Sequence, residues 1–151
     1  MNKPHLFVRQ THIPLSREEV FTFFSDAANL QRITPDDLGF QILTPQPITM
    51  QTGTLIDYTL NISGVPVKWR TRIAHWEPPI KFVDEQLRGP YALWEHTHQF
   101  EETPDGTRMD DIVYYRFPFV PLSELIHPLI RLQLNHIFNF RETAVRSFLL
   151  S

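Results

Sequence analysis

The sequence predicts an α+β domain in which an antiparallel sheet of about seven strands is covered on one face by a single long C-terminal helix. Three observations lead there. From Leu38 to Phe117 polar and apolar residues alternate with a period near two, the signature of a sheet with one solvated face. From Ile126 onward the period lengthens to three and four: Ile126, Ile130, Leu134, Ile137, Phe138, Val145 and Phe148 trace one face of a helix. Between the first strand and the sheet lie two short apolar segments with helix-capping residues. A chain of 151 residues is long enough for one core, so residues 1–151 are read as a single domain.

Leu6 to Ile13 opens as a strand. Ser16-Arg17-Glu18-Glu19 matches a capping box, with Ser16 and Glu19 satisfying each other's free amides, and predicts a helix that buries Val20, Phe21 and Phe24. Asp26 caps a second, DAANLQRI, which buries Leu30 and Ile33 and stops at Pro35 because the residue before proline avoids the helical region. Both helices are too short to stand alone. Next comes a six-stranded meander. In it Ile56, Tyr58, Leu60 and Ile62 share a face, as do Val67, Trp69, Thr71 and Ile73, with Lys68, Arg70 and Arg72 opposite as an ordinary solvated row. The terminal helix reaches about 33 Å and opens or kinks at Pro128. Because Leu122, Leu125, Leu129 and Leu132 are apolar as well, its N-terminal half is expected to be buried on more than one side.

Composition removes several classes of function. With 14 basic and 17 acidic residues and a net charge of −3, nothing favours nucleic acid or an anionic surface. There is no cysteine, hence no disulfide frame, thiolate zinc site or cysteine nucleophile. No apolar run approaches a membrane span and the N-terminus lacks a signal-peptide core. The reading is a soluble cytoplasmic protein, monomer or homodimer, without stable membrane insertion. Neither a phosphate-binding glycine loop nor a Gly-x-Ser-x-Gly elbow is present.

The chemically informative stretch runs from Phe82 to Phe117. Its inward-facing sets mix aromatics with polar groups: Phe82, Asp84 and Gln86, then Trp94, His96, His98 and Phe100, then Thr107, Met109, Asp111, Val113 and Tyr115. Burying Asp, Gln and His beside Trp and Phe without partners costs kilocalories each, whereas a cavity for a partly polar ligand accommodates the mixture. Asp84, Gln86, His96 and Asp111 also suit a satisfied polar cluster that fixes the sheet. With a tight turn at Pro104–Gly106, Phe100 is expected opposite Thr107, His98 opposite Met109, and His96 directly opposite Asp111. His96-Thr97-His98 with Asp111 supplies three conceivable metal ligands, but no further His or Cys completes a site; no metal is expected.

The order of elements, together with PLSREEVFTFFSDAANLQRITP, GTLIDYTL, WEPPIKFVDEQLRGPYALWEHTHQFE and DGTRMDDIVYYRFP, resembles the START-like superfamily, also called the SRPBCC or Bet v 1-like helix-grip group. Within it the chain is similar to the bacterial ligand-binding or cyclase/dehydrase-like subgroup. The resemblance covers essentially the whole chain. It implies a curved sheet wrapped around the C-terminal helix, a cavity between them, no cofactor, and a hydrophobic small-molecule ligand such as a lipid, polyketide or isoprenoid.

On that reading Tyr58, Trp69, Phe82, Trp94 and Phe117 supply apolar contact, while His96, Asp111 and Tyr115 orient a polar group, in a cavity of several hundred Å³. Two rivals accompany this binding function. One is a polyketide cyclase- or dehydratase-like enzyme using a His96–Asp111 proton-transfer pair. The other is a regulatory protein-interaction module.

Overall fold

The computed structural model describes residues 3–62 and 64–150. Strand β1 (His5–Ile13) leads into helices α1 (Arg17–Phe24) and α2 (Ala27–Arg32) and a 3₁₀ turn at Asp36–Leu38. Strands β2 (Gln41–Ile42), β3 (Leu55–Ile62), β4 (Val65–Glu77), β5 (Lys81–Arg88), β6 (Leu93–Thr103) and β7 (Gly106–Arg116) follow. A 3₁₀ segment at Leu122–Ile126 then precedes helix α3 (His127–Leu150). Both N-caps form where the sequence places them, Ser16 Oγ accepting from the Glu19 amide at 3.2 Å and Asp26 from Ala28 at 3.0 Å, while the reciprocal half of the capping box, Ser16 amide to Glu19 carboxylate, is not made. Pro128 sits in the first turn of α3, where its missing amide proton is no loss.

The seven strands form one antiparallel sheet in the order β1-β7-β6-β5-β4-β3-β2, a six-stranded meander with β1 returning beside β7. Register shifts in β4 at Arg70/Thr71 and Ile73/His75 curve the sheet. The second shift also brings Trp76 inward against Phe82, 5.5 Å between ring centroids. On the outer face two members of the basic row, Arg70 and Arg72, are paired across strands. Arg70 holds Asp57 with two hydrogen bonds of 2.8 and 3.1 Å, and Arg72 holds Glu85.

Helix α3, 24 residues and about 36 Å long, lies along the concave face. Its buried stripe divides the core in two. Toward its C-terminus Ala144 and Val145 pack with Ile13, Val20, Phe21, Phe100 and Met109; toward its N-terminus Leu134 and Phe138 pack with Phe7, Val113, Tyr115 and Phe117. The expectation of burial on several sides fails. Leu122, Leu125, Leu129 and Leu132 are 66–75% exposed, because the sheet meets only the Ile130–Leu134–Ile137–Phe138 side. Ile126 and Phe148, at the ends of the stripe, are exposed as well.

The β6–β7 hairpin turns on Pro104 and Asp105, with Thr103 opposite Gly106. The pairing is therefore two residues away from the one expected: Phe100 faces Met109, His98 faces Asp111 and His96 faces Val113. An even slip leaves every side chain on its predicted face. Gly106 is required there. Its φ is +146°, and a Cβ would lie 2.3 Å from the Ile13 carbonyl oxygen.

Candidate functional site

Between the two halves of the core, four side chains from three adjacent strands form a polar band across the sheet. Asp84 comes from β5, His96 and His98 from β6, and Asp111 from β7. His96 and Asp111 are 5% and 3% exposed and His98 is 7%, so each must find its partner inside the protein. They do so diagonally. His98 stands opposite Asp111 but donates through Nε2 to Asp84 Oδ2 at 2.6 Å; His96 stands opposite Asp84 but donates through Nε2 to Asp111 Oδ1 at 2.8 Å. The two imidazoles stack, 3.7 Å between centroids, and His98 stacks on Phe82 at 4.1 Å.

Electrostatics follow from this geometry. Burial pushes both carboxyls up. The hydrogen bond from His98 to Asp84, and that from His96 to Asp111, outweigh it together with the charges of both imidazoles and Arg141, so each carboxyl lies below the usual range. Burial, assisted by His96, pulls His98 below an ordinary histidine against the opposing effect of Asp84 and Asp111. Burial thus favours the neutral form of His98, whose Nε2 proton is the one Asp84 accepts. Its Nδ1 is buried without a donor, 3.6 Å from Asp111 Oδ1.

The band forms one wall of a partly open cavity of about 170 Å³, smaller than the several hundred Å³ expected, with Leu134 and Phe138 of α3 among its lining. Tyr58, Trp69, Phe82, Trp94 and His96 line it. Trp69 stacks on Tyr58 and meets Trp94 edge-on at 5.5 Å. Burial raises the Tyr58 hydroxyl above its usual range, and this hydroxyl bonds Thr71 Oγ1 at 3.2 Å. The indole N–H of Trp69 is buried with no partner among the described residues.

A family model described as "Polyketide cyclase / dehydrase and lipid transport" matches residues 13–139. The chain belongs to this family. Solved structures share its fold. The protein TTHA0849 from Thermus thermophilus superposes with a TM-score of 0.75 at 15% identity, covering 96% of this chain and 99% of the other. A START superfamily protein from Mycobacterium smegmatis gives 0.70 at 15% identity, covering 95% and 99%. Ara h 8.0201 gives 0.68 at 16% identity, again over 95% and 99%. The fold is thus the START-like, Bet v 1-like helix grip. A search of curated proteins finds no significant match.

Within this family member the remaining predicted residues stand apart from the cavity. Asp111 lies behind His96 and carries it. Tyr115 and Phe117 pack under the start of α3, where the Tyr115 hydroxyl bonds His127 Nε2 at 2.9 Å. Beside them His5 bonds Glu124 at 2.9 Å, fastening the 3₁₀ segment to β1. Gln86 is not part of the polar band. Its amide bonds the backbone N–H and C=O of Tyr91 at 3.0 and 2.8 Å, clamping the β5–β6 loop. Asp84, His96 and His98 also offer ligand atoms within 4.8 Å of one another. The 2.6 Å contact between His98 and Asp84 is a hydrogen bond, however, and a metal would have to force that pair apart to bind both at about 2.0–2.2 Å.

One cavity residue escapes a reading of the sheet alone. Arg141 lies on the buried side of α3, between Phe138 and Val145, and lines the cavity opposite the polar band. The signal was in the sequence: a cation three residues past Phe138 and four before Val145 occupies a core position of the apolar stripe.

Proposed function

We propose that this protein binds a hydrophobic small molecule, of lipid, polyketide or isoprenoid type, between the curved sheet and α3. The observation that carries the reading is the partly open cavity whose lining is mostly aromatic and aliphatic, with Asp84, His96, His98 and Arg141 among its polar members. Such a lining gains free energy from apolar surface removed from water, and a few polar groups at one end fix orientation. Trp69, Trp94, Phe82 and Tyr58 hold the apolar body; His96, carried by Asp111, meets the polar end. Tyr115 and Phe117 support the wall from behind. Membership of a family described by lipid transport as well as polyketide chemistry agrees with a carrier. Native mass spectrometry of the protein purified from its own host tests this. A retained apolar molecule of constant mass, lost on unfolding, is the expected result; a homogeneous bare chain that also fails to take up any added lipid or polyketide contradicts it.

A second reading is favoured by one specific atom. His98 lines the cavity and its Nδ1 has no partner among the described residues; a cyclase or dehydratase could use that nitrogen as a base once a ring movement brings it to the substrate, with the His96–Asp111 pair beside it. Under that reading His98→Gln abolishes turnover of a polyketide-like substrate while leaving its affinity within a few-fold; equal loss of both returns the site to a carrier.

A further inference from the structure

Arg141 is a cation in the wrong place for folding alone. It stands on the cavity-facing stripe of α3, half-buried as a residue, and its Nε is buried without a partner among the described residues. Among the described residues it makes no hydrogen bond and no ion pair; its guanidinium carbon lies over the Phe138 ring, 5.0 Å from the centroid. A guanidinium stays charged, and holding it in an apolar wall is costly unless something pairs with it. Asp84 and Asp111 are near enough to favour its charge, but neither comes within ion-pair distance of it, and each already accepts a histidine N–H through one oxygen. The same pole carries the complementary group, the His98 Nδ1 lone pair facing Asp111 Oδ1 at 3.6 Å. The cavity is thus lined by an unanswered donor group at Arg141, with a histidine nitrogen in the same polar band that has no partner and can take up a proton.

We infer that the ligand is an amphipathic carboxylic acid, bound with its carboxylate on Arg141 and with a proton taken up at His98 Nδ1. This rests on the cavity-binding function proposed above and names the class of ligand. A carboxylate matches the forked donors of arginine. Alone it would add a further uncompensated negative charge beside Asp84 and Asp111. The added proton removes that penalty: it forms an N–H bond at Nδ1, pointing at Asp111 Oδ1, and the imidazolium then lies between two carboxylates. The acid is ionised in neutral water, so the proton comes from solvent and no electrons move. The charged and titratable groups facing this point are Arg9 from β1, Tyr58 from β3, Asp84 from β5, His96 from β6, Asp111 from β7 and Glu142 from α3. Arg9 is already engaged by Asn139 at 2.9 Å and Glu142 at 3.6 Å.

The test is calorimetric titration of the folded protein with decanoate, decanol and methyl decanoate, each in two buffers of different ionisation enthalpy. The expected result is decanoate binding about tenfold or more tighter than the two neutral probes, with uptake of about one proton per acid at pH 7.5. Arg141→Met, which keeps the apolar stem, should remove that preference and bring decanoate down to the level of the neutral probes. Equal affinity for all three probes, or a preference that survives Arg141→Met, overturns the acid inference while the cavity function stands. Acid binding without proton uptake also overturns it. Failure of every probe to bind overturns both together. Should Arg141→Met not fold, the comparison of the three probes on the natural protein decides alone.

Discussion

Replacing Asp111 by leucine isolates what the polar band contributes to folding. Asp111 and His96 are both more than nine-tenths buried and meet at 2.8 Å. Removing the carboxylate leaves the His96 N–H with no acceptor in a wall already closed by Phe138 and Trp94. Breaking one side of such a pair costs about 3–5 kcal/mol. Asp111→Asn keeps an acceptor of the same shape and exchanges a charge-assisted bond for a neutral one, so its cost should be about 1–2 kcal/mol. The double change His96→Leu with Asp111→Leu removes both polar partners at once and should be more stable than Asp111→Leu alone. Urea titrations of the four proteins, with midpoints compared at constant slope, give these differences directly. Refutation would be Asp111→Leu within about 1 kcal/mol of the natural protein, or a double variant no better than the single.

Three further outcomes follow. Acidification should destabilise the fold from about pH 6.5 downward: the unfolded chain protonates at His98 while the buried, downshifted imidazole does not, so the unfolded state binds more protons. Asp84 and Asp111, whose folded values are depressed, add to the loss only at still lower pH. Urea midpoints at pH 5.5 and 7.5 test this, and His98→Gln should flatten the difference; equal midpoints for the natural protein would contradict it. Gly106→Ala should cost about 1–3 kcal/mol in the same assay, because its φ of +146° and the Ile13 carbonyl at 2.3 Å leave no room for a Cβ; a neutral effect would mean the turn is built otherwise. Leu125→Glu and Leu129→Glu, at 75% and 66% exposure, should change stability by no more than about 0.5 kcal/mol, and a large loss would place that face inside the fold.

The sheet and the long helix were legible because each has its own period and because one solvated face forces alternation. Val67, Trp69, Thr71 and Ile73 point together for that reason alone. Register was not legible to the same degree. A hairpin at Pro104–Gly106 closes with either of two pairings that keep every face, and alternation cannot choose between them; the two-residue turn at Pro104 and Asp105 did. The expectation that His96 and Asp111 touch survived the slip because the bond runs diagonally. Helical periodicity likewise shows which residues are apolar but not which of two apolar sides has something to lie on, so Leu122, Leu125, Leu129 and Leu132 were expected inside. The polar pole was half visible. His96, Asp84 and Asp111 stand out against their aromatic neighbours on the strands, whereas Arg141 reads as an ordinary polar break in a helix until Phe138 and Val145 are seen to bracket it.

The most direct measurement is a fluorescence titration with the neutral probe N-phenyl-1-naphthylamine, on the natural protein and on Ile137→Trp. Ile137 lines the cavity from α3, and an indole there adds bulk to that space from the helix side. Saturable binding of one probe per chain, lost in an Ile137→Trp protein that keeps its urea midpoint, is the result expected if the space between sheet and helix is the binding site. Absence of saturable binding in the natural protein, or undiminished binding in the folded variant, would contradict it.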